Sequence, residues 1–265
     1  MKPYFYLIFA ACLYSAGSKA ETGFSVAPSL LNFDYTEFKA SGGILDQETG
    51  LIPGIQLLLT RDFSAQQLSA ELEISTYDGN VDYAGHTQSG LAHDTTTNEE
   101  LFEIGARLVA PLFTNTDVYL GAKYQRWNRD IFSNNGVAGL FERYQWWELS
   151  AGTRISFPAR KNQNWIADIA LLRTINPTIY VDLASIDGGD ADLDLGPDTG
   201  ARLQLMWVLS NDHQTTYAIN AFYEMWGFGR SDSKATSGGS TNYSIYEPES
   251  ETRHSGVQFQ LGFQY

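Results

Sequence analysis

Hydrophobic and polar positions alternate with a period of two over most of this chain. The clearest run closes the sequence. In Val257-Gln258-Phe259-Gln260-Leu261-Gly262-Phe263-Gln264-Tyr265 every odd position is apolar or aromatic and every even one is Gln or Gly. Such a run gives an extended strand one greasy face and one polar face. The same rhythm recurs from Phe102 to Leu108, from Trp147 to Phe157 and from Ala201 to Leu205, with Glu103, Arg107, Glu148, Arg154 and Arg202 among the polar positions.

Ten strands are predicted, over about 24–38, 51–63, 66–77, 99–113, 117–128, 143–157, 164–174, 199–209, 215–226 and 252–265, with ends uncertain by a few residues. Their connections alternate in length. Short ones cover 64–65, 114–116, 158–163 and 210–214, and long ones about 39–50, 78–98, 129–142, 175–198 and 227–251. Short turns at one rim and long loops at the other describe a closed antiparallel up-and-down barrel, all-β, with eight or twelve strands as alternative counts. A soluble β-sandwich also alternates, but its strands usually run about 5 or 6 residues. Several runs here reach the roughly 9–11 residues of a tilted membrane crossing. Trp165 and Trp207 fall near the short-turn rim, and Trp127, Trp146, Trp147 and Trp226 near the other, which suggests two interfacial belts. Strict alternation turns Trp127 and Trp226 inward, so those strand ends either bulge or stand above the membrane.

The start of the chain reads as a secretory signal: basic Lys2, an apolar stretch from Tyr4 to Leu13, and the small-residue end Ser18-Lys19-Ala20. Its apolar core is shorter than the roughly 20 residues of a membrane helix. Residues 1–20 are therefore expected to be removed, leaving one barrel domain over 21–265. Cys12, the single cysteine, leaves with them, so no disulfide or thiolate metal site is expected. The net charge of -14 becomes -16, because Lys2 and Lys19 leave without any acid. A chain this acidic excludes nucleic-acid binding through a basic face. With no long apolar run after the signal, a membrane crossing here requires a closed barrel, in which every backbone group pairs between strands.

The last strand, with Val257, Phe259, Leu261, Phe263 and Tyr265 at every second position, resembles the C-terminal assembly signal of bacterial outer-membrane β-barrels. The resemblance implies residence in the bacterial outer membrane, contact with its lipid and lipopolysaccharide, and recognition of the terminal strand by the barrel-assembly machinery. Ten strands in about this length also resemble the omptin-like barrels, a group of surface proteases. That activity requires an Asp-His pair on one outer loop facing a pair of Asp on another. Asp78 and Asp82 mimic the second pair, whereas Asp212-His213 falls in a turn expected on the periplasmic side. The protease is accordingly the least favoured reading.

No nucleophilic triad or phosphate loop is present in the sequence, and no cofactor is expected. Among Asp182–Asp198, the carboxylates of Asp187, Asp190, Asp192 and Asp194 are weak candidates for calcium, outweighed by the reading of a solvated acidic loop. Asp78, Asp82, His86, His93 and Asp94 are ligand types for a transition metal, with nothing to gather them. The polar strand faces carry Glu71, Glu73, Glu103, Arg107, Lys123, Glu148, Arg154, Asp168, Arg202 and Glu224, most simply an ion-paired lumen. The expected function is a closed scaffold whose outer loops, with Tyr77, Tyr83, Tyr243 and Tyr246 as contact points, meet an extracellular ligand or support the envelope. A narrow path for small polar solutes or ions is the alternative.

Overall fold

The computed structural model describes residues 21–63, 67–87, 90–160, 163–211, 215–236 and 239–265. The predicted signal, 1–20, and the Asp212-His213 pair lie outside the described residues. In chain order the strands are β1 (Thr22–Phe38), β2 (Ile44–Phe63), β3 (Leu68–His86), β4 (Ala92–Phe113), β5 (Thr116–Ile131), β6 (Leu140–Arg160) and β7 (Gln163–Asp182). After a single 3-10 turn at Ala184–Ile186 come β8 (Ala191–Asp194), β9 (Gly196–Pro197), β10 (Thr199–Asn211), β11 (Thr215–Gly229), β12 (Lys234–Ala235), β13 (Ser244–Ile245) and β14 (Glu249–Gln264).

Ten of these build the wall. Each of β1 to β7 pairs antiparallel with the next, β7 pairs with β10, β10 with β11, β11 with β14, and β14 with β1, which closes the ring. Closure leaves no unpaired strand edge around the ring. Gly23 stands opposite Gln264, so both ends of the described chain meet at the short-turn rim. At the opposite rim β10 starts low, and the gap is filled by β8 against β7 and by β9 against β11.

The predicted ten-strand count holds, but the strands are much longer than their sequence signal. β2, β4, β6 and β7 span 20, 22, 21 and 20 residues, about twice a membrane crossing. Most of the expected loops 39–50 and 78–98, and the flanks of the others, are wall. The physical reason is an inversion of the alternation. On β1, Phe24 and Leu30 face outward while Ser25 and Ser29 face the lumen; farther along, Asn32 faces out and Leu31, Phe33 and Tyr35 are buried inside. On β3, Glu71, Glu73 and Ser75 point inward below, and Tyr77, Val81 and Tyr83 above, where Asp78, Asn80 and Asp82 face outward. The lower half is thus apolar outside and charged inside, whereas in the upper half the outer face is polar and apolar side chains enter the lumen, as for a barrel standing in water.

The lower outer surface is a continuous apolar band that includes Ile55, Leu108, Leu120, Leu149, Leu171, Leu203 and Phe259, with Leu171 73% exposed. A patch of this extent needs lipid against it. Trp165 and Trp207 stack at its lower margin, with ring centroids 5.4 Å apart, and Trp147 pairs with Tyr124 at its upper one. Those rings form the expected belts. Trp127, Trp146 and Trp226 do not belong to the upper belt: all three are buried in the lumen, because their strands continue above the membrane and present every second side chain inward. Tyr77 and Tyr83 are buried there too, not offered at the surface. Tyr77 fits because the residue opposite it is Gly54, where a Cβ would strike its ring; Tyr119 lies against Gly152 in the same way.

Inside the upper half, rings cross the lumen from wall to wall. Phe33 and Tyr35 of β1 meet Trp127 of β5 edge-on at 5.6 and 5.0 Å. Trp127 stacks on Tyr144 of β6 at 4.6 Å, and Trp146 of β6 meets Phe228 and Trp226 of β11 at 5.1 and 6.2 Å. This cluster, with Leu31, Ile52, Val81, Ile179 and Val181, is the main apolar core. Trp127→Ala is expected to cost about 3–5 kcal/mol through lost burial and the cavity left behind. Leu171→Arg, at a position open to lipid, should cost about 2–4 kcal/mol near mid-bilayer. Unfolding midpoints of the two variants in lipid vesicles measure both losses, whereas the same leucine judged as a water-exposed residue would cost almost nothing.

Candidate functional site

The lumen is built as three layers. The lower layer contains all ten charged side chains expected there. Arg107 bridges Glu71 at 3.0 Å and Glu73 at 3.2 Å, and Arg154 joins Glu71 at 2.8 Å and Asp168 at 3.5 Å. Lys123 lies 3.4 Å from Glu103, 3.8 Å from Glu148 and 3.4 Å from Glu224, which Arg202 meets from its other side at 3.8 Å. Tyr119 donates to Asp168 and accepts from Arg202, while Gln125 donates to Glu148. The strands place these groups at matching heights: Glu71 stands opposite Arg107, Lys123 opposite Glu148, Arg154 opposite Asp168, and Arg202 opposite Glu224. Cross-strand pairing therefore links neighbours, and Arg154–Glu71 and Lys123–Glu224 span the interior. The space left between Glu71, Arg107, Lys123, Glu148 and Arg202 is about 20 Å³, on the order of one water.

The middle layer is the aromatic core. On β5 the inward order is Lys123, Gln125, Trp127, Arg129, and on β6 it is Glu148, Trp146, Tyr144, Glu142, so the rings separate two ionic layers.

The upper layer was not anticipated from the sequence. Arg129 is 1% exposed and reaches Glu142 at 2.6 Å, Glu48 at 3.0 Å and Glu37 at 3.2 Å. Its guanidinium also lies 4.5 Å from the Tyr35 ring centroid and donates to Tyr144. Asp46 accepts from Tyr83, Glu99 from Trp127, and Glu247 from Tyr144. Six buried carboxyl groups thus surround one guanidinium. Glu247 lies on the segment between β13 and β14, outside the wall, and burial followed by the nearby Glu37 and Glu142 pushes its carboxyl well above the usual range. The signal that would have found this layer was phase: Glu37, Glu48, Glu99, Arg129 and Glu142 continue the inward series of their strands, Glu37 and Glu99 at the ends of the predicted strands 24–38 and 99–113, and Glu48, Arg129 and Glu142 in stretches read as loop.

The remaining candidates sit apart. Asp187, Asp190, Asp192 and Asp194 are exposed, the last two on the outer side of β8, whose Ala191 and Leu193 are buried. His93 is buried and bonded to the Phe132 carbonyl, while His86, Asp78, Asp82 and Asp94 are exposed on the other face of their strands. Among the described residues no three ligand-type side chains converge as a metal would need. Asp78 and Asp82, facing outward, cannot oppose an Asp-His pair across the mouth.

Arg129→Met should cost about 3–5 kcal/mol, since it leaves three carboxylates buried without their cation. Exposed Arg253→Met, whose partner Glu251 is partly exposed, should change stability by no more than about 1 kcal/mol. Paired unfolding curves would reveal equal losses if the Arg129 layer were solvated.

No family model matches the sequence, and no curated protein does. Among solved structures, the outer membrane protease OmpT from Escherichia coli aligns with a TM-score of 0.61 at 11% identity, over 93% of this chain and 96% of that one. The translocator domain of the autotransporter NalP from Neisseria meningitidis covers 99% of this chain and 94% of its own, at 9% identity and a TM-score of 0.49. The β domain of the Bordetella autotransporter BrkA covers 92% and 99%, at 13% identity and a TM-score of 0.46. At these identities the likeness is one of fold. The chain has the closed ten-stranded antiparallel β-barrel fold that the outer membrane protease also adopts.

Proposed function

We propose that the protein is a closed scaffold in the outer membrane, secreted by its N-terminal signal, that presents its outer rim for surface interaction or envelope integrity. One observation carries this reading: the aromatic layer of Trp127, Tyr144, Trp146, Trp226 and Phe228 crosses the lumen between two ion-paired layers. The ion-paired lower charges, with rings above them, argue against a continuous polar path among the described residues. Two larger spaces lie toward the ends. One of about 290 Å³ lies by Asp62, Ser69, Asp117 and Arg154 at the short-turn rim. Another, of about 470 Å³, lies by Phe132, Leu140, Phe141, Asp182 and Ser185 at the opposite rim, a shape open to an extracellular ligand. The outward Val257 and Phe259, 53% and 49% exposed, support lipid contact and recognition of β14 by the assembly machinery.

Refolded protein lacking residues 1–20 should show no stable conductance comparable with a general porin in planar bilayers. Steady ion-selective openings that change in Arg107→Ala or Glu148→Ala would overturn the closed scaffold in favour of a narrow channel. Shortening of the segments 132–139 and 183–190 should abolish surface binding or cell adhesion while leaving the barrel heat-modifiable on a gel.

A further inference from the structure

The segment around Glu247 covers the upper ionic layer, with β13 paired to β12 and Ile245 and Glu247 buried. Its main chain is tied at the base: Glu247 N–H donates to Ser231 Oγ at 2.8 Å, and Ser231 N–H to the Glu247 carbonyl at 3.0 Å. Ile245 packs into the apolar core, and Tyr243 donates to the Ile186 carbonyl at 3.0 Å. The side chain of Glu247 then enters the lumen, where it accepts from Tyr144 at 2.6 Å and Tyr35 at 3.4 Å and is only 4% exposed.

The surroundings it enters are strongly one-sided in charge. Glu247 meets Tyr35 of β1 and Tyr144 of β6 and feels the charges of Glu37 of β1, Arg129 of β5 and Glu142 of β6. The same buried layer holds Asp46 and Glu48 of β2, Tyr83 of β3, and His93 and Glu99 of β4. Arg129 is the one Lys or Arg among them, and Glu37, Glu48 and Glu142 already share it. Glu99 Oε1 and Asp46 Oδ1 find no hydrogen-bond partner among the described residues. On its own segment, Arg230 lies over the Tyr246 ring at 4.0 Å and not in the chamber.

We propose that the segment 243–248 is a proton-dependent latch, docked on the upper mouth while Glu247 is neutral and released when it ionises. A neutral carboxyl satisfies both tyrosines without adding charge. An ionised one adds a negative charge to a buried layer whose guanidinium is already shared, and it escapes that repulsion only by moving into water. The docked state therefore holds one proton more than the released state. Burial and the nearby Glu37 and Glu142 raise the docked carboxyl, so docking is complete below the ordinary carboxylate range and is lost as pH rises through the raised value. Release uncovers the acidic layer from outside. The latch does not depend on the closed-scaffold reading, because the rings of the aromatic layer are carried by the wall strands β1, β5, β6 and β11 and not by the segment.

The test uses the cysteine-free chain lacking residues 1–20, refolded in lipid, with a spin label on Ser244→Cys, an exposed position on β13. Label mobility is followed from about pH 5 to about pH 9, which brackets carboxyl groups raised above their ordinary range. The label should be immobile at the acid end, and the ratio of mobile to immobile label should rise about ten-fold per pH unit through the transition. Glu247→Gln, which keeps the acceptor without the charge, should hold the label immobile throughout, and Glu247→Ala should free it throughout. Heat-modifiable migration reports whether each variant is a folded barrel; if the alanine variant is not, the glutamine variant decides alone. A label immobile across the whole range in the parent protein, or an unchanged transition in Glu247→Gln, would overturn the latch. Conductance measured on the same samples distinguishes this outcome from failure of the closed scaffold.

Discussion

A ring of ten strands closed by backbone hydrogen bonds has an interior it cannot collapse. In an open sheet a poor inward face can be covered by another layer, but here the wall itself sets the cross-section, and every second side chain must fill it. Glycine opposite tyrosine at Gly54–Tyr77 and Gly152–Tyr119 is one consequence, since at both sites the ring lies over the glycine where a Cβ would stand. The paired heights of Glu71 with Arg107 and of Arg154 with Asp168 are another: where the filling is charged, register has to bring opposite signs together.

What fills the interior depends on what lies outside. Against lipid the outer face takes the apolar residues, and a strand that alternates then has only polar side chains left for the lumen. Above the lipid the outer face meets water, the apolar residues move inside, and a core forms like that of a soluble protein. The same strands satisfy both conditions by exchanging faces near Leu30 and Asn32 on β1 and near Ser75 and Thr76 on β3. The aromatic layer sits just above that exchange. On the proposed scaffold reading its position makes it a stopper, which links closure to the length of the wall beyond the apolar band.

The two ionic layers are not equivalent. The lower one sets four cations among six carboxylates and distributes its bridges across the lumen, so each cation has two or more partners. The upper one gathers six carboxyls about Arg129 alone. Buried ion pairs add little net stability even when complete. Where cations are too few, burial and neighbouring carboxyls raise a carboxyl such as that of Glu247 above its usual range.

The sequence by itself determined the strand rhythm, the count of ten, the assignment of the lower charges to the interior and the outward face of β14, because in each of these runs apolar and polar residues alternate cleanly beside lipid. Asp78-Gly79-Asn80-Val81-Asp82-Tyr83 also alternates, yet its turn-forming composition outweighs Val81 and Tyr83 in any local reading. Only the tertiary structure decided that such stretches are wall, that Trp127, Trp146 and Trp226 are core, and that Glu37, Glu48, Glu99, Glu142 and Glu247 converge on Arg129. Those residues come from five separate places in the chain, and what joins them is ring closure and the register of strands far apart in sequence, which no local pattern records.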